Sequence, residues 1–142
     1  MRITIRKEDY EQICRSAAAG RPEEVCGLLA GIDREDGVRE IRKIYLLTNT
    51  DHSPEHFSID PKEQVAAVRD MRACGLAPLG NWHSHPETAA RPSAEDIRLA
   101  NDSSASYLIV SLAEEGELVL NGYHIRKSEE GTFVRQEEMV IV

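Results

Sequence analysis

The chain has 142 residues, 41% hydrophobic and 30% charged, an ordinary composition for a soluble globular protein with a single core. With 25 acidic side chains against 17 basic ones the formal net charge is −8, which argues against a nucleic-acid binder and against anionic membranes. No apolar stretch approaches a membrane span, and Met1-Arg2-Ile3-Thr4-Ile5-Arg6 alternates instead of building a signal-peptide core, so the expectation is one cytoplasmic domain over residues 1–142.

In chain order, residues 2–6 read as a short strand. Lys7 to Ala19 sets Tyr10, Ile13, Cys14, Ala17 and Ala18 at helical spacing and stops at Gly20. After the Arg21-Pro22 break, Val25 to Ile32 is a nearly continuous apolar run, as for a strand covered on both faces. Residues 38–48 predict another strand, followed by a polar loop from Asn49 to Glu55 and a short strand from His56 to Ile59. Asp60 and Pro61 supply an N-cap and a first helical position for a helix reaching about Cys74 and ending at Gly75. Leu76 to His85 reads as a central strand, and Ser93 opens a short helix toward Ala100. Tyr107 to Leu112, Glu117 to Ile125 and Thr132 to Val142 are strands, the first two joined through Glu114-Glu115-Gly116. Helices interspersed with many strands predict an α/β or α+β sandwich around one mixed sheet. The three cysteines, Cys14, Cys26 and Cys74, lie far apart with no C-x-x-C pair, which points to buried free thiols and not to disulfides or a thiolate zinc site.

The chemistry concentrates in Gly80-Asn81-Trp82-His83-Ser84-His85-Pro86 and Arg91-Pro92-Ser93-Ala94-Glu95-Asp96. Side chains two apart on a strand share a face, so His83 and His85 project together as a pair of zinc donors. Pro86 lacks an amide hydrogen and ends the strand, which sets the pair at a sheet end where a cleft can open. Asp96, one turn into the next helix, is the nearest third donor. His-His-Asp with one exchangeable position is the catalytic zinc pattern, in which water is acidified to a pKa near ~7. Glu24 is the candidate base, provided its strand lies beside residues 76–85. A plainer reading of Ser93-x-x-Asp96 is a capping box, in which both side chains satisfy helix-end amides. His52, His56 and His124 read as surface or loop histidines without a ligand role. The zinc-deaminase signature H-x-E with P-C-x-x-C is absent, as is H-E-x-x-H.

These residues resemble the JAMM, or MPN+, metalloproteases. The family carries an upstream glutamate, then His-(Ser/Thr)-His-Pro with seven residues counted from the proline, then Ser, two residues and Asp. Here the pattern reads Glu24, His83-Ser84-His85-Pro86, the seven residues from Pro86 to Pro92, Ser93 and Asp96. Pro22-Glu23-Glu24-Val25-Cys26-Gly27-Leu28-Leu29 resembles the family's first strand, and the resemblance spans roughly residues 3 to 112. It implies a cytidine-deaminase-like three-layer sandwich, a mixed central β-sheet flanked by helices. It also implies zinc on His83, His85 and Asp96, Glu24 as general acid/base, and Ser93 as hydrogen-bond donor to a developing oxyanion. Phe57-Ser58-Ile59-Asp60-Pro61 and the lack of long insertions resemble the short bacterial members, some of which act on ubiquitin-like sulfur carrier proteins after a C-terminal Gly-Gly. Such a tail is expected to lie along the cleft as an added strand.

The expected function is therefore a zinc-dependent peptidase or isopeptidase acting on the tail of a ubiquitin-like or sulfur carrier protein. The alternative is a non-catalytic MPN-type module that binds a ubiquitin-like partner and uses its metal for stability. Intact Glu24 and Ser93 weigh against it, since a structural zinc needs neither. A cysteine-centred redox or hydrolytic protein is a third reading; no base accompanies Cys26 or Cys74 in the sequence.

Overall fold

Seven strands and three helices arise where the hydrophobic periodicities place them, in a computed structural model that describes residues 1–113 and 117–142. They are β1 (Arg2–Ile5), α1 (Lys7–Ala19), β2 (Cys26–Asp33), β3 (Val38–Leu47), α2 (Pro61–Ala73), β4 (Ala77–His85), α3 (Ala94–Leu99), β5 (Ser106–Ser111), β6 (Val119–Ser128) and β7 (Gly131–Ile141). The expected turn at Glu114-Glu115-Gly116 lies outside the described residues. Among the described residues, no helix is long and apolar enough to cross a membrane.

The α/β composition with a mixed sheet holds. The strands run in the order β1-β3-β2-β4-β5-β6-β7, and parallel pairing of β1 with β7 closes the ring into a barrel. The β1–β3 and β4–β5 pairs are also parallel and the remaining neighbours antiparallel. Strand β2 is covered on both faces, as its unbroken apolar run predicts. Leu29 joins Ile3, Ile5, Trp82, Leu108 and Val110 in a core completed by Ile13 and Ala17 of α1. Leu28 and Ala30, on the opposite face of β2, meet Ala67 and Met71 of α2. Each large side chain so buried contributes about 1.5–3 kcal/mol, and Trp82, fully enclosed, sits directly before the first histidine.

Two expectations are corrected. Residues 56–59 form no strand; a single bridge joins Asn49 to Ile59. The reason is the Asn49 side chain, which takes up the backbone groups a ladder would use: its Oδ1 accepts from Asp51 N at 3.0 Å and Ser58 N at 3.1 Å, and its Nδ2 donates to His56 O at 3.1 Å. The thiols are free, and Cys14 and Cys26 are buried, but Cys74 is exposed because it caps the last turn of α2 at the surface.

A shift of register between β2 and β4 sets up the site. It falls after Leu29, which pairs with Gly80, and Ala30 then pairs with Pro78. Gly80 takes φ +150°, and a Cβ there would lie 1.9 Å from Ser106 O on β5. Only glycine lets the two strands approach at this point. Beyond the irregularity, the phase of β4 turns Trp82 inward and His83 outward.

Candidate metal centre

At the C-terminal end of β4 the side chains alternate between two tasks. Trp82 enters the core and donates from Nε1 to Tyr45 O at 3.1 Å, while Ser84 accepts from Val25 N at 2.8 Å and ties β4 to the approach to β2. His83 and His85 face the other way, both almost fully buried, with their Nε2 atoms 3.0 Å apart. Strand β4 stops at His85, as Pro86 predicts. The His85 Nδ1–H donates to Ala89 O at 2.8 Å, which fixes the ring and turns Nε2 toward its neighbours. Phe57 stacks on His83, with centroids 4.6 Å apart.

Asp96 reaches the pair from α3, and the capping box is formed as well. Ser93 Oγ accepts from Asp96 N at 3.0 Å, and Asp96 Oδ2 accepts from Ser93 N at 2.9 Å. The same Oδ2 lies 3.2 Å from His83 Nε2 and 3.0 Å from His85 Nε2. Helix capping and donor placement are thus one arrangement, because the cap holds the carboxylate in the position from which it meets both rings.

Glu24 arrives from the adjoining strand. Cys26 pairs with His83 in the antiparallel β2–β4 ladder, so two residues earlier Glu24 comes level with His85 on the same face. Its backbone is pinned by Glu24 N donating to Ser53 O at 2.8 Å and by Asn49 Nδ2 donating to Glu24 O at 3.0 Å. The residue is 4% exposed, and Oε1 has no hydrogen-bond partner among the described residues. Burial pushes its pKa up to about 8, against the opposing pull of a charged His85. Burial also lowers the pKa of His83 and keeps that ring neutral. For His85 burial works in the same direction, but the hydrogen bonds to Asp96 and Ala89 O prevail and raise it. Asp96 resists its own burial through the hydrogen bonds from both rings, which hold it far below the usual carboxylate range.

The donor set suits a zinc ion. Two imidazole nitrogens and a carboxylate oxygen are all within 3.2 Å of one another, close to the spacing of about 3.3 Å that tetrahedral bonds of about 2.0 Å require. Beside them opens a cleft of about 330 Å³ lined by Asn81, Leu99, Tyr107 and Ile125, with His56 and Phe57 on the loop that crosses it.

All five residues singled out from the sequence are brought together here, Ser93 through its cap on Asp96. His52, His56 and His124 are not part of this donor group. In the sequence Phe57 is marked only through the resemblance of Phe57-Ser58-Ile59-Asp60-Pro61 to the short bacterial members, and His56 reads as a surface or loop histidine, because the strand expected over residues 56–59 is a loop without a period.

Three comparisons bear on the site. Prokaryotic homologs of the JAB domain match residues 6–122. The CysO-cysteine peptidase of Mycobacterium tuberculosis is 33% identical over 123 residues, 87% of this chain and 82% of that protein. The desampylase of Haloferax volcanii is 35% identical over 99 residues, 68% of this chain and 69% of its own length. Among solved structures, a protein from Desulfitobacterium hafniense superimposes with a TM-score of 0.85 at 48% identity, covering 99% of this chain and 92% of that one.

Proposed function

From the premise that this chain belongs to the family of prokaryotic JAB-domain homologs, we propose that it is a zinc-dependent peptidase or isopeptidase acting on the C-terminal tail of a ubiquitin-like or sulfur carrier protein. The observation that carries this reading is Glu24, a buried carboxyl whose Oε1 has no hydrogen-bond partner among the described residues and which comes level with His85 of the His83, His85 and Asp96 group. A binding module has no use for such a group, and its burial alone is destabilising.

In this reading His83, His85 and Asp96 hold zinc through Nε2, Nε2 and Oδ2. Zinc bound by three protein donors polarises a carbonyl and makes water nucleophilic at neutral pH. Glu24 takes a proton from the attacking water and delivers it to the leaving amine nitrogen, and its raised pKa suits both halves of that transfer. Ser93 accepts from Asp96 N and keeps its hydroxyl hydrogen for the oxygen of the carbonyl under attack, work of a few kcal/mol in such sites. In this reading the tail lies along the cleft as an added strand, beside the loop over residues 49–60. The same reading takes residues 1–142 as one cytoplasmic domain, a three-layer sandwich with α1 and α2 covering opposite faces of β2.

The test is intact-mass spectrometry of a sulfur carrier protein extended beyond Gly-Gly, incubated with the zinc-loaded protein. Loss of the extension mass is expected with wild type, and at least about 100-fold slower loss with Glu24→Gln. An intact substrate after incubation with zinc-replete wild type would refute the assignment.

A further inference from the structure

The loop over residues 49–60 is built as part of the cleft. The Asn49 side chain bonds Glu24 O and His56 O with one amide nitrogen, which fixes the base and the loop in a common frame. Within that frame Asp51 Oδ2 lies 2.9 Å from His56 Nδ1 and also accepts from Ser58 Oγ at 2.9 Å. His56 lines the cleft beside His83 and Asp96, and the next residue, Phe57, stacks on His83. No lysine or arginine stands among the cleft-lining residues described.

We propose that His56, ordered by Asp51, is a substrate-binding residue whose Nε2–H donates to a backbone carbonyl of the tail next to the bond that is cleaved. The inference rests on the peptidase reading given above. The chemistry follows from which nitrogen carries hydrogen. Asp51 is an acceptor, so Nδ1 holds a proton in both charge states of the ring. Nε2 is therefore a donor only when the ring is cationic and an acceptor when it is neutral. Acids face the ring from three elements: Asp51 in its own loop, Glu24 ahead of β2, and Glu95 on α3. The hydrogen bond to Asp51 leads in raising the ring's pKa, against a smaller effect of burial, and Asp51 in turn is held below its ordinary value. A carbonyl oxygen of the tail thus finds a donor while the ring is cationic and loses it as pH rises and the ring becomes neutral.

The experiment measures KM and kcat between pH 6 and 9 for the zinc-loaded wild type, His56→Ala, His56→Gln and Asp51→Asn, using the extended sulfur carrier protein as substrate. His56→Ala is expected to raise KM about tenfold with kcat within about twofold, as for loss of one charge-assisted hydrogen bond. His56→Gln retains an N–H donor that does not titrate, so its KM should stay near wild type and become flat with pH. Asp51→Asn should move the rise in KM to lower pH. An unchanged KM in His56→Ala, or a KM in His56→Gln that still rises with pH, overturns the inference and leaves the peptidase reading standing. Failure of wild type to cleave overturns both.

Discussion

The burial of Glu24 is unfavourable to its charged form, and pH can expose the sign of that cost. In the unfolded chain the carboxyl titrates near its ordinary 4.5, whereas burial in the folded, metal-free protein pushes it up to about 8. Between those two values the folded state retains a proton that the unfolded state has released, so stability falls as pH rises through that window. Glu24→Gln removes the titration. The metal-free variant is expected to exceed metal-free wild type in stability by a few kcal/mol at pH 8.5 and to match it near pH 4, read from urea midpoints at the two pH values. Equal midpoints at pH 8.5 would mean that the carboxyl is solvated. At this scale the sequence was informative where a period governs direction. His83 and His85 had to share a face because they are two apart on a strand, but His56 lies in a loop whose path is set by hydrogen bonds to Asn49.

Helix α3 has six residues, too few to be stable alone, so its position depends on the Ser93–Asp96 capping box. Ser93→Ala removes the side-chain acceptor for Asp96 N and is expected to cost about 1 kcal/mol of stability. If the same hydroxyl also serves the substrate carbonyl, kcat should fall by about 100-fold, far more than a loosened cap explains. Parallel unfolding and rate measurements separate the two: a rate loss of less than about tenfold leaves Ser93 with the cap alone. Strand β4 has its own weak point at Gly80, where a Cβ would meet Ser106 O. Gly80→Ala is expected to lose roughly 2–4 kcal/mol, measured by chemical denaturation, and to disturb zinc content through the misplaced His83. Apart from the strand expected over residues 56–59, element positions were legible from periodicity, with ends displaced by up to three residues. That β2 adjoins β4, and so brings Glu24 to His85, depends on long-range pairing that no local pattern encodes, and only the spacing of the whole motif pointed to it.

For the molecule as a whole, a zinc ion on His83, His85 and Asp96 would clasp β4 to α3, elements that the Asp96 hydrogen bonds already join. Zinc at about a hundred times its dissociation constant adds roughly 2.7 kcal/mol, so chelation should lower Tm by roughly 8 °C in differential scanning calorimetry. A Tm indifferent to chelator would mean that the ion contributes nothing to the folded state. Ring closure was the global feature least visible beforehand, because it joins Arg2 to Glu138 and Ile5 to Ile141 across nearly the whole chain. It also imposes an order on synthesis. At about 5–20 residues per second, β1 leaves the ribosome roughly ten seconds before β7 is made. Strand β3 can satisfy one side of β1 early, but the other side waits, a bare ladder on a nascent chain. The pairing that closes the ring is therefore the last to form, and crowded ribosomes translating the same message are where neighbouring copies would meet the waiting side of β1.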